Sequence, residues 1–150
     1  FYEYTLLGIL KGAIVKRIFV PASDECPELH EVVSLADEVG AVLCYAYLGD
    51  VGESVTGDKA AQKFEDSYLD ELFSELYGAG MRAVTYMPTR NTMAQLERVR
   101  SLCDSYGMMQ VSGEDINSPS QSFVIRSMEN PMFSNLIEST WRLIENENRS

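Results

Sequence analysis

Histidine is almost missing from this sequence: His30 is the only one in 150 residues. A histidine-rich metal centre therefore cannot be built from the chain. A Ser-His-Asp or Cys-His site would have to rest on His30 alone. That residue falls inside a helical pattern, four positions before Ser34, where a surface or core histidine is expected. Cysteine is scarce too. Cys26, Cys44 and Cys103 form no CxxC pair and are odd in number, which gives neither a zinc knuckle nor a disulfide framework. Positive charge is short: 12 Lys and Arg stand against 23 Asp and Glu, for a net charge of -11. Such a chain lacks the basic face of a general nucleic-acid binder and is repelled by an anionic membrane. A phosphate ester remains open as a substrate, because a bound cation reverses the local sign. Long apolar runs are missing as well; none approaches the roughly 20 residues of a membrane span. The opening "FYEYTLLGILKG" has no basic n-region of a signal peptide. A reducing cytoplasm is the expected setting, and a start at Phe1 reads as a processed product or a piece of something longer.

What is present is a regular alternation. Helices are expected over 2–12, 27–40, 59–80, 92–107 and 131–147, with Pro27 in the first turn of the second. Strands are expected over 15–21, 41–47, 82–88 and 108–113. "AVLCYAY" is apolar on both alternations, as in a strand buried on both faces. The apolar stripe of the 59–80 helix is read as Phe64, Tyr68, Leu72 and Leu76, and that of the 92–107 helix as Leu96, Val99, Leu102 and Cys103. Strands alternating with helices predict a single α/β domain over 1–150 with a parallel sheet. Four units are too few for a closed eight-stranded barrel of roughly 250 residues. They suit an open sheet or the C-terminal half of a TIM-like barrel.

In parallel α/β folds ligands bind beyond the carboxyl ends of the strands. The loops there carry Ser23, Asp24 and Glu25; then Asp50, Glu53, Asp58 and Lys59; then Thr89, Arg90 and Asn91; then Glu114, Asp115 and Asn117. Carboxylates beside Arg90 and Lys59 suit a divalent cation next to a phosphoryl or carboxyl group. Read alone, Glu114–Asp115 is a solvated turn and Arg90 a partner for a surface acid. "GDVGESVTGDK" has no GxxxxGK[ST] spacing, so it is no P-loop, though such a loop could order over a ligand as a lid. Tyr45 and Tyr47 share one face of their strand, and core packing is their ordinary role.

The stretch "AVTYMPTRNTMAQLERVRSLCDSYGMMQVSGEDINSPSQSF" resembles the C-terminal part of a PHP-domain protein, the polymerase and histidinol phosphatase superfamily of metal-dependent phosphoesterases. The likeness runs roughly from Pro21 to Phe123 and is best from Ala83 onward. It implies a distorted seven-stranded α/β barrel with metals held by histidines and acids at its C-terminal rim. The family's last strand ends in a Gly-Ser-Asp-x-His-type motif followed by a small residue and Pro. "SGEDINSP" aligns with it: Glu114 takes the Ser position, Asp115 the metal-binding Asp and Asn117 the His. Tyr45 or Tyr47 stands where a ligating histidine of an earlier strand is expected. The family's opening His-x-His has no counterpart here.

The resemblance implies a hydrolase that attacks a phosphate ester with metal-activated water. Asp115, Asn117 and Glu114 would be metal ligands for Mn, Mg, Zn or Fe. Arg90, Lys59, Asp50 and Tyr45 would contact a small phosphorylated substrate. With the front of the barrel missing, the chain alone is expected to be an inactive portion, and an exposed sheet edge is expected to self-associate. The alternative is a non-catalytic α/β module that binds a small anionic ligand or a protein partner.

Overall fold

A computed structural model describes residues 2–15, 17–18, 25–50, 65–116 and 121–147. Among them the order is α1 (Tyr2–Leu10), α2 (Leu29–Glu38), β1 (Cys44–Ala46), α3 (Leu69–Gly78), β2 (Ala83–Tyr86), α4 (Met93–Tyr106), β3 (Met109–Ser112) and α5 (Ser134–Glu147). The strands form one parallel sheet in the order β1-β2-β3. A parallel pair needs a crossover, and α3 and α4 supply the two. The chain is therefore α/β with a small parallel sheet, as the alternation predicted. No helix among the described residues is long and apolar enough to cross a membrane.

Register assigns the sheet's two faces. Tyr45 pairs with Val84 and Val84 with Gln110; Tyr86 pairs with Ser112. These residues share one face, because paired residues point the same way and side chains alternate. Against this face lies the core. Leu69, Phe73 and Leu76 come from α3, Leu96, Val99 and Cys103 from α4, Phe133 from the 3-10 turn just before α5, and Leu136 from α5 itself. The opposite face is made of smaller groups. Ala83 is buried, while Cys44, Thr85, Met109 and Val111 are half-buried and Ala46 is exposed.

The local causes are legible. α4 opens on Thr92, whose Oγ1 accepts from the Gln95 N–H at 3.3 Å while Gln95 Oε1 accepts from the Thr92 N–H at 2.8 Å. This reciprocal pair is a capping box. The helix ends at Gly107, whose φ of 63° favours a residue without Cβ. Its buried stripe is Leu96, Val99 and Cys103, as the spacing predicted, with Leu102 on the flank.

Several boundaries differ from expectation. The stripe of α3 is Leu69, Phe73 and Leu76, one position from the predicted Tyr68 and Leu72. A separate 3-10 turn, Glu65–Ser67, precedes that helix, so the acids there lie outside it. Pro27 stands ahead of α2 and not in its first turn, because that helix begins at Leu29. The strand expected over 15–21 lies mostly outside the described residues, and Val15 ends the π-helical turn Lys11–Val15.

Burial is uneven. α1 has no buried residue, and Tyr2 and Ile9 are widely exposed. On α2 only Ala36 is buried, with Leu29 and Leu35 exposed. His30 is exposed, and its carbonyl accepts from Ser34 Oγ at 2.8 Å, so it sits on the surface as expected. All three cysteines are free. Burial, followed by the nearby Asp104 charge, pushes the Cys103 thiol up to about 12, so it packs as a small apolar group.

Candidate functional site

Since the strands are parallel, the loops that leave their carboxyl ends emerge at one edge of the sheet. They bring Gly49 and Asp50, then Pro88 to Asn91, then Gly113 to Ile116 to that edge. Two glycines fix the paths. A Cβ on Gly49 would stand 2.8 Å from Tyr47 Oη and 2.9 Å from Asn91 Nδ2, at a φ of 69°. A Cβ on Gly113 would stand 3.1 Å from Thr85 Cβ. Gly113 N–H also donates to the Tyr86 carbonyl at 2.8 Å, which holds the third loop against β2.

The first loop is knitted to the Glu65–Ser67 turn. Tyr45 Oη donates to Glu65 Oε1 at 2.6 Å, and the Gly49 N–H donates to Glu65 Oε2 at 2.9 Å. Tyr47 Oη donates to Asp66 Oδ1 at 2.6 Å. The Asp50 N–H and Gln95 Nε2 both donate to Asp66 Oδ2, at 3.2 and 2.7 Å. Asp50 Oδ1 accepts in turn from the Asp66 N–H at 3.1 Å. Arg98 donates to the Asp66 carbonyl at 2.6 Å and forms an ion pair with Asp70. Burial opposes the charge on Asp66. The hydrogen bonds from Gln95, Tyr47 and the Asp50 backbone, with the Arg98 charge, outweigh it and hold the carboxyl below its usual range. Burial first, and then the acid each one bonds, drives the phenols of Tyr45 and Tyr47 well above the ordinary tyrosine value. Both remain neutral donors, so this network is a brace for the loop.

The third loop differs. Glu114 accepts from the Thr89 N–H at 2.7 Å and from Thr89 Oγ1 at 2.5 Å, which ties it to the loop after β2. Asp115 is exposed, and its side chain makes no hydrogen bond or ion pair among the described residues. Both acids line a cavity of about 650 Å³, together with Pro88, Thr89, Arg126 and Ser127. That volume lies within the usual range of small-molecule sites.

The sequence-predicted residues thus do not stay together. Glu114 and Asp115 are together at the cavity. Asp50 and Tyr45 belong to the brace, where Asp66 and Glu65 engage them, so neither lines the cavity. Arg90 caps the turn after β2, its N–H donating to the Met87 carbonyl at 3.0 Å. Its Nε is buried with no partner among the described residues, and it does not line the cavity either. Asn117 and Lys59, with Ser23, Asp24, Glu53 and Asp58, lie outside the described residues. Asn91 is structural: its Oδ1 accepts from the Met87 N–H and its Nδ2 donates to the Leu48 carbonyl at 2.8 Å. Sequence reasoning missed Glu65, Asp66, Gln95, Arg126 and Ser127. Asp66-Ser67 just before an apolar period is a helix-start signal that would have moved the acids out of the helix. Nothing in the spacing points to Arg126.

Among the described residues no group of three or more His, Cys, Asp or Glu is placed to hold a cation. Among the described acids of the rim, Asp115 offers a carboxylate with no partner, and Glu114 is engaged by two donors from Thr89. The described residues therefore do not make up a complete metal site. Comparison of the chain with protein-family models, with curated proteins and with solved structures finds no match.

Proposed function

We propose that the chain is the C-terminal portion of a PHP-like metal-dependent phosphoesterase, with the strands of a TIM-like barrel and a rim site at Asp115. One observation carries this reading. The Gly113-Glu114-Asp115 loop leaves the last strand at the carboxyl edge of a parallel sheet and lines a cavity there. The half-exposed second face of the sheet, with β1 and β3 at its edges, is what a portion of a barrel would present. Hydrolysis would belong to a complete protein that supplies further ligands, and this chain by itself would be inactive. The test uses a gene product that contains this chain together with any sequence preceding Phe1. Mn2+-dependent hydrolysis of phenyl phosphate is expected there, and Asp115→Ala should lower both turnover and bound metal. A gene product that binds no metal and turns over no ester would sink the reading.

A second reading is a non-catalytic α/β module that binds a small anionic ligand at the same rim. The presence of Arg126 among the residues that line the cavity favours it.

A further inference from the structure

The cavity beyond β3 carries two opposite charges that no described neighbour satisfies. Asp115 and Arg126 both line it, and both are exposed. They are more than 4.0 Å apart, since they form no ion pair. Neither side chain has a hydrogen bond or ion pair among the described residues. Beside Arg126, Ser127 Oγ is buried and has no hydrogen-bond partner among the described residues. A buried hydroxyl without a partner is uncommon, because its desolvation is uncompensated. Ser122, by contrast, is occupied: its Oγ donates to the Val124 carbonyl and accepts from the Val124 N–H, both at 3.1 Å. The same cavity is also lined by the apolar side chains Ile116, Val124 and Ile125.

From this arrangement we infer that the cavity binds a small zwitterion, of the α-amino acid type with an apolar side chain. Arg126 and Ser127 hold its carboxylate, and Asp115 holds its ammonium. The inference rests on the binding reading of the rim and adds the ligand's second charge and its apolar part. Charge decides between oxyanions. Glu114, Asp115 and Arg126 sum to -1, on a chain of net charge -11. A dianionic phosphate is disfavoured there in the absence of a cation, whereas a carboxylate paired with an ammonium adds no net charge. The guanidinium fork also matches a carboxylate in two parallel hydrogen bonds.

The experiment is titration calorimetry on this chain, in buffer with a chelator, using leucine, 4-methylvalerate and isoamylamine. The last two are leucine without its ammonium and without its carboxylate. Leucine should bind, and each analogue should bind at least about tenfold more weakly, the usual effect of one charge-assisted hydrogen bond. Arg126→Gln and Asp115→Asn should each weaken leucine about tenfold, with circular dichroism unchanged. If 4-methylvalerate binds as well as leucine, the anion-binding reading stands and the zwitterion inference falls. If neither binds at millimolar concentration, both fall. Leucine binding that is insensitive to Arg126→Gln and Asp115→Asn also overturns the inference.

Discussion

Glu65–Asp66 and Glu114–Asp115 are both adjacent acid pairs, and both meet loops at the carboxyl edge of the sheet. In the first pair every carboxylate oxygen accepts from a donor: Tyr45 and Gly49 on Glu65, Tyr47, Asp50 and Gln95 on Asp66. In the second pair Glu114 is held by Thr89, and Asp115 lines a cavity with its charge unmet among the described residues. The difference lies in the donors that fold against each pair, not in the acids themselves. A carboxylate surrounded by protein donors stabilises a loop. One left beside a cavity is available to a ligand.

The sharpest way to break this contrast is to remove the braced acid. Asp66→Ala leaves Tyr47 Oη and the Asp50 N–H without their acceptor, and Gln95 Nε2 with the Asp50 carbonyl alone. It should cost about 2–3 kcal/mol, on the scale of hydrogen bonds to a charged group, and lower Tm by roughly 5–10 °C in thermal unfolding. pH attacks the same network without mutation. The folded pKa values of Tyr45 and Tyr47 are raised, so neutral phenol is favoured in the folded state. Their contribution is fully present below the unfolded value of about 10 and is lost as pH rises above it. Denaturant titrations should therefore show stability falling above about pH 10, and less steeply in Tyr47→Phe. The folded pKa of Asp66 is depressed, so its contribution is present above the ordinary carboxylate value and is lost as pH falls through the folded one.

The second pair predicts smaller effects. Thr89→Val removes the hydroxyl that bonds Glu114 and keeps the backbone N–H bond. A loss of about 1 kcal/mol is expected in urea unfolding, as for one ordinary hydrogen bond. Asp115→Ala should change stability least, within about 0.5 kcal/mol, as for a surface substitution that removes no protein contact.

Sequence alone carried the alternation well and the boundaries less well. The Leu96, Val99, Cys103 stripe was legible because a helix that packs on one face repeats its apolar residues. Residues Glu65 and Asp66 were absorbed into an over-long helix, since "QKFEDSYLDEL" keeps a helical apolar spacing through the 3-10 turn. The convergence of Asp50, Arg90 and Glu114 at one edge followed from parallel strands. Their fates did not follow, because each depends on a partner far along the chain. Asp50 meets Asp66 across 16 positions, and Thr89 meets Glu114 across 25. Arg126 was invisible for the same reason: it begins a 3-10 turn, Arg126–Glu129, and lines the same cavity as Asp115.

Asp66 braces the fold, whereas the Asp115 side chain makes no fold contact by hydrogen bond or ion pair among the described residues, and this contrast is one of stability. Calorimetric melting of the wild type, Asp66→Ala and Asp115→Ala, side by side in one buffer, tests it most directly. Asp66→Ala should melt well below the wild type, and Asp115→Ala within about 1–2 °C of it. A fall for Asp115→Ala as large as that for Asp66→Ala would make Asp115 a structural residue and contradict the account.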